Sequence, residues 1–366
     1  MGKIRSFLKR KDIIFSGKRY GIDALGAMAQ GLFCTLLVGT ILNTIGQQFH
    51  IAFLNASIVT LKSATGEAVI SYTLGGLASA MVGPGIAIAI GFALHCPPMV
   101  LFSLIPVGFA ANAMGGAGGP LAVYFVAIVA SEFGKLVSKE TKIDMLVTHI
   151  VTILIGIGFA YLVASPIGAA ASAVGDAVKW ATLQQPFLMG ILVSVIIGIA
   201  LTLPISSAAI CAALSLTGLA GGAAVAGCCA QMVGFAVMSF RENRWGGLVA
   251  QGIGTSMLQM PNIVKNPRIW IPPTLASAIT GPLATCLFKL EMNGAAVSSG
   301  MGTCGFVGQI GVYTGWINDA TKVITAWDWV GLVLICFILP AILSTVFCEI
   351  LRKIGWIKEN DLKLEL

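Results

Sequence analysis

Charged side chains are scarce in this chain: Asp, Glu, Lys and Arg together make 10% of its 366 residues, against about a quarter in a soluble domain. With 57% hydrophobic residues and a mean hydropathy of +0.92, that scarcity excludes an ordinary soluble domain and indicates a polytopic membrane protein. Histidine is rarer still, and His50, His95 and His149 all lie in the first half, so the second half has no imidazole for acid–base work. The nine cysteines show no CxxC spacing, and the adjacent pair Cys228 and Cys229 suits neither a shared zinc site nor a ready disulfide; they read as small packing residues. The glycine-rich "NAMGGAGGP" (112–120) lacks both the Lys-Ser/Thr ending and the preceding strand of a phosphate-binding loop, and reads as close helix packing or a dimer contact. No nucleophile, base and orienting group can be assembled from the sequence, and nothing in it calls for a cofactor or a metal.

What is present is a series of stretches free of Asp, Glu, Lys and Arg: 24–61, 68–131, 145–175, 180–240, 245–264, 269–288, 292–318 and 329–348. A bilayer core about 30 Å thick takes roughly 20 helical residues, so these hold about ten membrane segments. Two are unlike lipid-facing spans. The stretches near 245–264 and 292–311 are rich in Gly, Ser, Thr and Gln, which suits re-entrant hairpins buried in protein. The expected fold is therefore an all-α polytopic membrane protein of about ten membrane segments, two of them re-entrant hairpins.

The net charge of +7 sits largely at the two ends, with Lys3, Arg5, Lys9, Arg10, Lys11, Lys18 and Arg19 in the head and Arg352, Lys353, Lys358 and Lys363 in the tail. The positive-inside rule puts both ends in the cytoplasm, the head reads as preceding an uncleaved first helix, and anionic lipid rather than nucleic acid is the expected partner of the basic rim. The organisation expected is a basic segment 1–23, a scaffold and dimerisation bundle 24–163, an interfacial amphipathic linker 164–185 carrying Asp176, Lys179 and Trp180, a transport-like module 186–351, and a tail 352–366.

The second module repeatedly interrupts small-residue helices with neutral amides. Gln231, Gln259, Asn262, Asn293 and Gln309, with Ser298, can both donate and accept hydrogen bonds, a lining suited to a neutral, hydroxyl-rich solute. Broken helices could also present N-termini to an anion, so the charge of the solute stays open. Three residues are candidates for proton coupling: Glu67, five residues from Lys62 and otherwise its partner at an interfacial turn; His149, one turn inside a span; and Glu291, beside Asn293. Glu132, Lys135, Lys139, Glu140, Lys142 and Asp144 read as one solvated loop of mixed sign, and His50 and His95 as helix-end residues.

The stretch "PNIVKNPRIWIPPTLASAITGPL" (261–283), with Asn266, Pro267, Ile271 and Pro272, resembles the "NP…IP" segment that follows a hairpin in the IIC membrane subunits of sugar phosphotransferase systems. From about residue 10 to 350, including "RKDIIFSGKRYGIDALGAMAQGLFCTLLVGTIL" and "SSGMGTCGFVGQ", the chain is more similar to a stand-alone IIC-like branch that includes the perfringolysin O regulator type. The resemblance implies a glucose-superfamily EIIC-like, elevator-type homodimeric permease. It also exposes two departures. Sugar-phosphorylating relatives carry a glutamate just before the "NP…IP" stretch, where this chain has "GIGTSMLQMP" (252–261), and a histidine in the second half, where this chain has none. The leading expectation is a carrier for a small polar, sugar-like solute that works without phosphorylation; the alternatives are a membrane sensor or regulator with a carrier fold, and a IIC subunit served by separate IIA and IIB proteins.

Overall fold

A computed structural model describes residues 2–62 and 68–364, and the chain is helical nearly throughout. It divides into two compact units, Met1–Gly168 and Ala169–Leu366. Among the described residues, five helical stretches can cross a bilayer by length and composition, or six if the bent pair Leu74–Ala80 and Val82–Ala93 counts as one span. One of the five, Pro98–Val137, is itself doubled: Gly116, at φ +52°, turns Pro98–Gly115 back on Gly119–Val137, a conformation costly for any residue with a Cβ. Each half is about 27 Å long, enough to span.

In the first unit, Arg19–Gln48, the bent pair and the doubled helix pack through small residues. A Cβ on Gly31 would meet the backbone of Gly85 and Ile86, and one on Gly83 would meet Gly108 O. Backbone approach of this kind is how helices associate where lipid offers no hydrophobic drive between them. Val59–Lys62 and Ala68–Tyr72 form an antiparallel hairpin with Val59 opposite Tyr72 and Leu61 opposite Ile70. This strand pair is an addition to the all-α expectation, and Glu67 lies outside the described residues. Residues 164–182 continue the long helix Asp144–Thr182. Only 22% of that helix's most apolar stretch is buried, and Leu154, Tyr161 and Leu162 stand exposed, as on a lipid-facing surface.

The mixed-sign loop expected over 132–144 is corrected. Glu132 and Lys135 belong to the last turns of Gly119–Val137 and are buried, Lys135 to 2% exposure. Only the residues after Val137 form the connection to Asp144.

The second unit is built around Gly218–Met238, whose most apolar stretch is 94% buried. A Cβ on Gly222 would fall on Leu290 O and one on Gly227 on Ser194 O. The surrounding helices are Pro186–Thr202, Ile271–Pro282 and Leu339–Lys353, with the shorter Ala326–Val333. Among the described residues all nine cysteines are free thiols.

Candidate functional site

Two chain reversals meet beside the middle of Gly218–Met238. The first runs from Phe240 to Gly254, reverses at Thr255, whose extended backbone (φ −156°) breaks the helix, and returns through Ser256–Gln259 and Met260–Lys265. Thr255 Oγ1 accepts from Met257 N at 3.2 Å and starts the return. The second reversal lays 293–298 against 311–315: a Cβ on Gly294 would meet Gly311 O and one on Gly315 would meet Asn293 N. Its turn, Met301–Phe306, is closed by Gly308 N donating to Gly302 O at 2.9 Å. Gly302 is seated against the backbone of Cys228 and Cys229, where any side chain would collide.

The tips are joined by Thr303 Oγ1, which donates to Gly252 O at 2.5 Å and lies 3.6 Å from Met232 Sδ. Behind them, Thr202 Oγ1 and Ser256 Oγ are 2.8 Å apart, and Thr202 Oγ1 also donates to Gln231 Oε1 at 3.3 Å. The same oxygen accepts from Trp270 Nε1 at 3.0 Å, while Gln231 Nε2 donates to Thr274 Oγ1 at 3.3 Å. Thr202, Gln231, Ser256 and Thr303 are all buried. The junction is thus made of hydroxyl, amide and indole groups, with no Asp or Glu anywhere in 243–290 or 292–318. Such groups can exchange hydrogen bonds with a neutral polyol; they supply neither a base to deprotonate a hydroxyl nor a cation to clamp a phosphate.

The sequence-predicted residues fall into separate groups. Gln231 and Ser298 are buried, Gln231 in the network just described. Gln259 and Asn262 are bonded to one another, Asn262 Nδ2 donating to Gln259 Oε1 at 2.8 Å. Their remaining donors go to Gln251 Oε1 and to the main-chain carbonyls of Leu362 and Lys363. Asn293 lies exposed, donating to Glu291 Oε2 at 3.0 Å and accepting from Gly218 N at 3.1 Å. Gln309 donates to Cys229 Sγ at 3.1 Å. In the first unit His149 Nδ1 is 2.6 Å from Ser103 Oγ, half-buried. Sequence reasoning passed over Thr202, Gln251, Ser256, Trp270 and Thr303; hydroxyls and an amide within low-charge helices were the only signal available. No group of three or more His, Cys, Asp or Glu able to hold a metal occurs among the described residues.

A second polar cluster, in the first unit, went unrecognised in the sequence. Arg19 grips Asp12 through its two terminal guanidinium nitrogens (3.1 and 2.6 Å), and Nη2 also donates to Leu94 O at 2.6 Å. Lys135 Nζ donates to Asp12 O at 3.0 Å and Leu94 O at 3.1 Å, and lies 3.0 and 2.9 Å from the two Glu132 oxygens. His95 Nδ1 stands 3.1 Å from Asp12. The Arg19 hydrogen bond holds the Asp12 carboxyl down at about 2, against a smaller opposing effect of burial, with His95 adding to the lowering. The cluster ties the basic head to the turn after Val82–Ala93, a fastening role for charges that composition assigns to the surface.

A family model described as "Phosphotransferase system, EIIC" matches residues 22–364. No curated protein and no solved structure matches the chain.

Proposed function

Because the chain belongs to the phosphotransferase-system EIIC family, whose members are membrane components of sugar transport, we propose that it binds and translocates a small polar, sugar-like solute between the two chain reversals of its second unit, without phosphorylating it. The observation that carries this reading is the hydroxyl and amide junction of Thr202, Gln231, Gly252, Ser256 and Thr303, which contains no carboxylate; Glu242, at the start of the first reversal, is paired with Arg352 at 2.6 Å. Phosphoryl transfer to a sugar hydroxyl gains from a positioned base that takes the proton as the bond forms. Met257 to Met260 offer thioethers, an alkyl group and an amide in that place. Binding survives that exchange of groups; activation of the hydroxyl does not.

In this proposal the segments 240–265 and 293–318 are re-entrant hairpins, the second unit moves as an elevator, and the first serves as the scaffold of a homodimer in the plasma membrane with both termini cytoplasmic. Buried polar breaks of this number are costly in a membrane unless something uses them. The test is uptake of radiolabelled sugars and polyols into vesicles reconstituted with the purified protein, with and without phosphoenolpyruvate and the soluble phosphocarrier proteins. Solute arriving free, at a rate indifferent to the phosphocarriers, is the expected result. Phosphorylated product would establish a working IIC subunit, and no uptake or thermal stabilisation by any of the panel would leave a sensor or regulator with a carrier fold.

A further inference from the structure

Residues 354–364, after Leu339–Lys353, do not trail into solvent. The backbone turns at Gly355 (φ +79°), a left-handed conformation suited to glycine, and returns across the first hairpin. Ile357 and Leu362 anchor the returning segment, exposed to 2% and 0%. Asn243 Nδ2 donates to Leu362 O at 2.7 Å, and Leu364 N donates back to Asn243 Oδ1 at 2.8 Å. Gln259 Nε2 donates to Leu362 O at 3.0 Å, and Asn262 Nδ2 to Lys363 O at 2.9 Å. Farther along, Asn266 Nδ2 donates to Asp361 Oδ2 at 2.7 Å and Trp356 O at 2.9 Å, while the Arg268 guanidinium lies 5.1 Å from the Trp356 ring centre. Three neutral amides of the hairpin, and Asn266 just after it, thus hold the tail; all four bond its main chain, and Asn266 also bonds the Asp361 carboxylate.

This arrangement has a stoichiometric consequence. A side-chain amide has two protons to donate. Gln259 gives both, to Gln251 Oε1 and Leu362 O; Asn262 gives both, to Gln259 Oε1 and Lys363 O. While the tail is docked, neither has a donor left for any other ligand. We propose that residues 355–364 are a latch on the hairpin 240–265: docked, they fix the hairpin and occupy one amide proton each of Gln259 and Asn262; released, they free those two protons and let the hairpin move. The bonds go mainly to peptide carbonyls, so docking depends on the path of the tail, and Leu362 sets that path by filling a buried position. The consequence for solute rests on the carrier reading above; the latch itself does not.

The test is hydrogen–deuterium exchange of the full-length protein in detergent, with no solute present. Leu362→Asp puts a charge at a fully buried position and is expected to speed backbone exchange over 250–263 by about 10-fold, as release of a local opening unit does, while 98–137 exchanges as in wild type. Asn243→Ala, which removes two of the tail's bonds without burying a charge, moves the same peptides in the same direction. Adding the peptide GWIKENDLKLEL, the sequence of 355–366, to the Leu362→Asp protein is expected to restore protection. Unchanged exchange over 250–263 in both variants would overturn the latch. So would faster exchange across all of 186–353 that the peptide does not reverse, since the tail would then be a structural part of the unit. A sugar panel without a hit leaves these readouts untouched, so failure of the solute reading and failure of the latch are distinguishable.

Discussion

Replacing Lys135 with methionine gives the sharpest test of the fastening cluster in the first unit. The side chain is 2% exposed and its ammonium is shared between Glu132, Asp12 O and Leu94 O. Methionine fills much of the volume but leaves the buried Glu132 carboxylate without its Lys135 partner and Asp12 O without the Lys135 donor, while Leu94 O keeps its bond from Arg19. Removing one partner of a buried pair costs about 3–5 kcal/mol. For a unit of this size that corresponds to a fall of roughly 6–20 °C in unfolding midpoint. Glu132→Gln is milder, about 1.5–3 kcal/mol, because Lys135 keeps both carbonyls and the Asp12 carboxylate remains close by. The double variant is expected to be more stable than Lys135→Met alone, by about 1 kcal/mol, since the stranded charge has gone. All seven tryptophans lie in Ala169–Leu366, so their fluorescence follows the second unit and serves as the control. The first unit is followed by mass-spectrometric labelling of the buried Cys96 thiol as temperature rises, at one scan rate for all variants. Single-variant effects that add within about 0.5 kcal/mol, or a Lys135→Met midpoint equal to wild type, would refute the reasoning.

Three further outcomes follow from the geometry. Thr303→Val removes the hydroxyl that donates to Gly252 O across the two reversals and is expected to weaken solute-dependent stabilisation roughly tenfold at a net stability cost of about 1–3 kcal/mol, measured by midpoint shift against solute concentration. Gly222→Ala places a methyl on Leu290 O and is expected to abolish recovery of folded protein, whereas Gly246→Ala, with open space around it, leaves the size-exclusion profile unchanged. The low folded-state pKa of Asp12 stabilises the attachment of the head above its ordinary value of 3.8, and that contribution is lost as pH falls toward about 2. Asp12→Asn should therefore remove part of the acid dependence of Cys96 labelling in that window, and identical acid limbs in the two proteins would contradict the assignment.

The helical architecture was legible because apolar runs have a length scale set by the bilayer. The stretch 68–131 is longer than two spans require, and it holds the bent pair, Pro98–Gly115 and most of Gly119–Val137. The breaks near 245–264 and 292–311 were legible through glycine and hydroxyl content. What the sequence hid depends on distance along the chain. Glu132 and Lys135 carry the same signature whether they end a buried helix or begin a loop; the difference is made by Asp12 and Leu94, far away in sequence. Gln259 and Asn262 look like unspent hydrogen-bonding capacity in a local window, and their partners stand about a hundred positions later, in a tail whose composition resembles any solvated end. The strand pair Val59–Lys62 and Ala68–Tyr72 was hidden because its β-branched residues adjoin long apolar runs.

The backbone contacts around Gly218–Met238 bear on permeability as well as packing. Gly227 against Ser194, Gly222 against Leu290 and Gly281 against Gly190 bring peptide groups together with no side chain between them. A seam that tight has no room for a file of water molecules, and without such a file protons and alkali cations have no path along it. The same glycines that let the helices approach therefore close these three seams to ion leak, a second duty for residues whose first is packing.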